Sequence, residues 1–110
     1  MRFMMMVKSS ENAGAPPQEL MEAINKLTVE QSQAGKLVAA GGLAPTAMSS
    51  RVRLCDGKLT VTDGPFVETK EVVGGFAIMN ANSKDEAIEF AKTFLNHVGE
   101  GECELRQLFE

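Results

Sequence analysis

Residues 51–62 read RVRLCDGKLTVT. Alternating polar and apolar residues flank an Asp-Gly pair, which is typical of a β-hairpin closed by a type I′ turn. The two-residue loop sets a register in which Val52 faces Val61. Leu54 then faces Leu59 on the same side of the hairpin. The opposite side of the hairpin is predicted to carry the polar side chains Arg51, Arg53, Cys55, Lys58, Thr60 and Thr62.

On each side of this hairpin the chain shows the order strand, helix, strand. The predicted elements are a strand at 2–8, a helix at 20–34, a strand at 36–44, a strand at 72–81, a helix that begins at Ser83 and a strand at 103–109. Glu86 follows Ser83 by three residues, as in a capping box. Two βαβ halves around a hairpin predict an α+β, ferredoxin-like domain, in which both helices cover one face of an antiparallel sheet.

Two strands of this sheet are apolar on both faces. They contain FMMMV at 3–7 and FAIMNA at 76–81. An antiparallel sheet that exposes one face to water normally has polar residues on that face. Because the two helices cover only the other face, we expect a second copy of the chain to cover this one. The sequence therefore predicts a homodimer through the open sheet face.

Length and charge exclude several classes of protein. The 110 residues predict a single domain, 1–110. The net charge of −4 disfavours nucleic acid as a partner, and no apolar segment reaches the length of a membrane span. The segment MRFMMMVK at 1–8 predicts a strand and not a signal peptide. Cys55 and Cys103 are far apart with no CxxC spacing, so we expect free thiols and a cytoplasmic location.

The stretch TDGPFVETKEVVGGF at 62–76, preceded by GKLVAAGGLAP at 35–45, resembles the DGPF-motif subgroup of the YCII-related proteins. The likeness runs from the first predicted strand to the last. It implies a ferredoxin-like domain that forms a dimeric α+β barrel. Members are small bacterial proteins, mostly of unknown function.

The proposed active site of that family has a histidine in the region of the first helix and an aspartate further along the chain. The predicted helix 20–34 contains no histidine, and the single histidine, His97, lies near the end of the second helix. Asp63 is the one candidate catalytic residue that the resemblance carries over. An Asx-turn before Gly64 and Pro65 is the structural alternative for this aspartate.

Other polar residues form a candidate binding site for a small anion. Arg51 and Arg53 share the polar hairpin face with threonine hydroxyls, a combination suited to a carboxylate or phosphate. Phe66 is either a lid on this site or a core residue. Glu68 and Lys70 are further candidate ligand-binding residues, or else a charged strand edge that prevents aggregation.

No cofactor and no metal are predicted, because one histidine and two separated cysteines do not form a metal-ligand cluster. Two function classes therefore stay open. The sequence favours a small-molecule-binding or regulatory homodimer. The alternative is a cofactor-free enzyme, such as an isomerase, lyase or monooxygenase, that acts on a small anionic or aromatic substrate, by analogy with other dimeric α+β barrels.

Overall fold

The computed structural model describes residues 1–10, 17–66 and 71–109. The elements are β1 (Arg2–Ser10), α1 (Gln18–Gln33), β2 (Leu37–Gly42), a short 3₁₀ turn (Thr46–Met48), β3 (Ser50–Cys55), β4 (Lys58–Asp63), β5 (Glu71–Asn80), α2 (Lys84–Val98) and β6 (Glu102–Gln107). All predicted elements are present in the predicted order.

The main sheet has four antiparallel strands in the order β2-β5-β1-β6. Each helix connects two strands that run parallel to each other with a third strand between them. This is the ferredoxin-like topology, so the predicted fold class is confirmed. The β3–β4 hairpin forms a separate two-stranded sheet.

The core lies between the sheet and the helices. Phe3 and Met5 on β1, and Ala77 and Met79 on β5, are at most 5% exposed. They alternate along their strands because successive side chains point to opposite faces of a sheet. Helix α2 packs on them through its buried alanines, of which Ala87 is 0% exposed.

The opposite face of the sheet carries the other residues of the same strands. Met4, Met6, Phe76 and Ile78 are half-buried there. The ring of Phe76 lies over Gly41 of β2, where a Cβ atom would come within 3.1 Å of ring atom Cε1. The predicted strands with two apolar faces are therefore confirmed, and the chain's own helices cover only one of those faces.

Helix α2 begins as its sequence predicts. The Ser83 hydroxyl accepts a hydrogen bond from the Glu86 backbone N–H at 3.2 Å, and the Glu86 carboxylate accepts one from Asn82 N–H at 3.3 Å. The first bond satisfies an amide that the first turn of a helix leaves without a partner, and the second holds the residue that precedes the N-cap. The helix ends at Gly99, whose φ of +90° suits glycine.

The hairpin has the predicted register and turn. Val52 pairs with Val61 and Leu54 with Leu59. Asp56 and Gly57 both have positive φ, +50° and +76°, as a type I′ turn requires. Nothing in the described chain covers the apolar side, so these four side chains are 68–72% exposed.

Among the described residues, no helix has the length and apolar character to cross a bilayer.

Candidate functional site: the motif corner and the polar hairpin face

The motif Asp63–Phe66 leaves the hairpin at its base and lies against the 3₁₀ turn that precedes β3. The Gly64 N–H donates to the Ser49 carbonyl at 2.8 Å, and the Phe66 N–H lies 3.4 Å from the Thr46 hydroxyl oxygen. The Gly64–Pro65 peptide bond is cis. These contacts join the segment that enters the hairpin to the segment that leaves it. Asp63–Phe66 therefore forms a corner between these two segments.

Gly64 is the tightest point of this corner. A Cβ atom at this position would overlap the carbonyl group of Thr46. The overlap is with backbone, which cannot move aside as the end of a flexible side chain does. The corner therefore requires glycine at position 64.

Asp63 lies at the base of the hairpin, opposite Ser50, whose hydroxyl donates to Asp63 Oδ1 at 2.7 Å. The Asx-turn predicted for Asp63 is wrong, because the residue two positions on is Pro65, which has no N–H to donate. By strand alternation, Asp63 and Ser50 share the hairpin side that carries Val52 and Val61. The structure thus separates the candidate catalytic carboxylate from the arginines.

Phe66 is half-buried and lies outside the hydrophobic core, so the alternative that it is a core residue is wrong. The guanidinium carbon of Arg51 is 3.8 Å from the centroid of its ring. A cation over an aromatic face at this distance is attracted by the ring quadrupole. The contact places Phe66 at the base of the polar hairpin face.

That polar face carries the predicted anion-binding residues. Arg51 pairs with Thr62, and Arg53 pairs with Thr60. All four side chains are exposed and point to one side of the hairpin. The structure therefore brings Arg51, Arg53 and Phe66 together. The remaining two candidates, Glu68 and Lys70, lie outside the described residues.

Two clefts open at the opposite end of β5 from the motif. One has a volume of about 190 Å³ and lies between the ends of the helices, where its polar lining includes Lys36, Asn80 and Glu86. The second, of about 410 Å³, shares these three residues and is more open. Neither is lined by hairpin or motif residues. Sequence patterns did not indicate these clefts, because they form where the ends of separate elements meet.

No three His, Cys, Asp or Glu side chains within residues 1–10, 17–66 and 71–109 come together as a group that could hold a metal ion.

A charged cluster lies at the β6 edge of the open sheet face. Glu104 is 2.7 Å from Arg106 Nε and 3.5 Å from Lys8 Nζ. The hydrogen bond from Arg106, followed by the charges of Arg106 and Lys8, holds the pKa of the Glu104 carboxyl below its usual range. The open face therefore has an apolar centre and a charged margin.

Both cysteines are free in the chain, as predicted: Cys55 is exposed at the end of the hairpin and Cys103 is half-buried in β6. Burial, assisted by the negative charge of Glu102, raises the pKa of the Cys103 thiol.

The two thiols should differ in their rate of alkylation, because the thiolate is the nucleophile in this reaction. We expect iodoacetamide at neutral pH to modify Cys55 first, and Cys103 to react appreciably only at more alkaline pH. Peptide mass mapping over time would measure both rates, and equal rates at neutral pH would contradict the prediction.

Comparison with known proteins gives a family match over the whole chain. The family model described as "YCII-related domain" matches residues 1–110. An uncharacterized protein of Rhizobium meliloti (strain 1021) is 35% identical over 92 residues, which are 83% of this chain and 74% of that protein.

Among solved structures, 5-chloro-2-hydroxyhydroquinone dehydrochlorinase from Burkholderia phenoliruptrix AC1100, in complex with 2,5-dihydroxybenzoquinone, aligns over 99% of this chain and 94% of its own, with a TM-score of 0.48 and 18% identity. A similarity at this level carries no argument about the chemistry of this chain.

Proposed function

Since this chain belongs to the YCII-related family, whose model spans it fully, we propose that it is a homodimer that binds a small anionic molecule at the polar face of the hairpin. The residues TDGPF at 62–66 and E-x-K-E-x-x-G-G-F at 68–76 favour the DGPF-motif subgroup within that family. The two free thiols favour a reducing, cytoplasmic location, and the relative in Rhizobium favours a bacterial source.

The stacking of Arg51 on Phe66 carries the proposal for the ligand. An arginine whose guanidinium rests on an aromatic ring loses less conformational freedom when it binds a ligand. Its planar fork of N–H donors matches the two oxygens of a carboxylate or phosphate. Arg53 lies on the same face, with threonine hydroxyls opposite both arginines as further donors.

The position of Asp63 favours binding over turnover. The enzymatic alternative requires an acid or base close to the bound molecule. Asp63 instead accepts a hydrogen bond from Ser50 on the other side of the hairpin. A protein that binds the anion without converting it to a product needs only the arginine face.

The open sheet face supports the homodimer. Its centre is apolar, with Met4, Met6, Phe76 and Ile78 half-buried, and its margin carries Glu104 and Arg106. An apolar centre with a polar rim is the usual anatomy of a protein interface. A second copy offers the same arrangement, as a two-fold dimer requires.

Mutation of Arg53 tests the ligand proposal. A thermal-shift screen of small carboxylates and phosphates would first select a ligand, whose Kd is then measured by calorimetry. We expect Arg53→Met to raise that Kd about 10- to 100-fold, since a hydrogen bond to a charged group contributes about 1.5–3 kcal/mol. The melting temperature of the free protein should change little, because Arg53 is exposed.

Lys26→Met on the exposed side of α1 is the matched control, since it removes one positive charge far from the hairpin in sequence and should leave the Kd unchanged. Equal Kd values for Arg53→Met and the unmodified chain would contradict binding at this face. Conversion of the selected ligand to a product, lost in Asp63→Asn, would instead support the enzymatic alternative.

A further inference from the structure

We infer that the β3–β4 hairpin is an interaction arm, whose apolar side packs on a second copy of this chain. The inference rests on the proposed homodimer and adds a second contact surface to it, apart from the open sheet face.

The arm carries a contiguous apolar patch. Val52, Leu54, Leu59 and Val61 pair side by side and are each about 70% exposed. Together they present roughly 400 Å² of mostly apolar surface, a size at which such patches mark interaction sites on soluble proteins. A surface hairpin without a partner would carry polar residues on both sides.

Among the residues that the structure describes, the strands of the arm pair only with each other, as a two-stranded sheet. An isolated two-stranded hairpin is only marginally stable in water, and it needs a further strand or another packed layer to be stably folded. The corner holds its base through Gly64 and Phe66, but these contacts do not cover its apolar side.

Two observations favour a second copy as the partner that covers this side. The arm continues through the motif into β5, which carries Phe76 and Ile78 of the open face, so the two uncovered apolar surfaces are neighbours in the chain. A stable interface takes roughly 800 Å² from each partner, and the arm supplies about half of that area.

This arrangement leaves the arginine side of the arm facing outward. The apolar and polar side chains lie on opposite sides of a two-stranded ribbon. Packing of the apolar side on the second copy therefore holds the ribbon in place and keeps Arg51 and Arg53 accessible to an anion.

Sedimentation equilibrium of the unmodified chain and of a double variant tests the arm. The variant Leu54→Lys with Leu59→Lys places two charges opposite each other at the turn end of the patch. We expect its dimer dissociation constant to rise about 100-fold or more, because the interface would have to desolvate both ammonium groups. Circular dichroism should show an unchanged fold, since both positions are exposed.

The control variant Met21→Lys with Val29→Lys makes the same kind of change at two exposed apolar positions on α1. It should dimerise as the unmodified chain does. As a second measurement, a benzophenone amino acid at position 54 should give a covalent dimer on irradiation.

The outcomes separate the arm from the dimer itself. If the unmodified chain is a monomer at micromolar concentration, the homodimer proposed above fails and the arm fails with it. If the unmodified chain is a dimer, but the arm variant dimerises equally well and no covalent dimer forms, the arm alone is overturned. Loss of dimer in the arm variant, together with a covalent dimer on irradiation, supports the inference.

Discussion

Replacing Gly64 by alanine is expected to lower the free energy of unfolding by about 3 kcal/mol, the upper end of the usual cost of overpacking. The added methyl group would overlap the Thr46 carbonyl, so the corner would have to open. Opening it would also break the hydrogen bond from the Gly64 N–H to Ser49. Urea unfolding followed by circular dichroism would measure the change.

Gly101→Ala is the matched control for this substitution. Its Cβ would lie 3.7 Å from a Leu95 methyl group, an ordinary contact distance, and its φ is outside the left-handed region. Both substitutions reduce the entropy of the unfolded chain to a similar extent, so this contribution cancels in the comparison. Equal unfolding free energies for the two variants would show that position 64 tolerates a side chain.

Replacing Met5 by alanine should cost about 2–5 kcal/mol, the range for deleting a fully buried long apolar side chain. Met5 is 1% exposed in the layer between β1 and the helices, so its loss leaves a cavity that the close-packed neighbours cannot fill completely. The same urea experiment measures this change.

Met21→Ala makes the same chemical change on α1, where Met21 is 41% exposed. It should cost less than about 1 kcal/mol, as most surface substitutions do. A loss of stability at Met21 as large as that at Met5 would contradict the assignment of Met5 to the core.

The fold could be predicted from the sequence because its signals are local and periodic. The Asp-Gly pair predicted the hairpin register, and Ser83 with Glu86 predicted the start of α2. The order of strands and helices was compatible with few sheet topologies. The prediction failed where neighbours distant in the chain decide the environment. The sequence left Phe66 as either a lid or a core residue, and the structure places an arginine 15 positions earlier in the chain over its ring.

The candidate site was predicted only in part, for a similar reason. Alternation along β3 and β4 correctly grouped the arginines with the threonines. The Asx-turn interpretation of Asp63 used only its neighbours in sequence. Its hydrogen-bond partner in the structure, Ser50, is 13 positions away. The smaller cleft beside Lys36 and Asn80 involves both helices and the end of β5, and a sequence pattern within a single element does not show which elements meet.

The strand order has a consequence for synthesis of the chain. β1 lies between β5 and β6, so it pairs with two strands that are made well after it, as Val7 does with Gly75 and Cys103. The hairpin closes through contacts between residues 50 and 63 alone and can form within microseconds. β1 has no partner strand until β5 is made, and its pairings with β5 and β6 both close long loops. During translation the two hairpin strands can thus pair while β1 still has no partner strand.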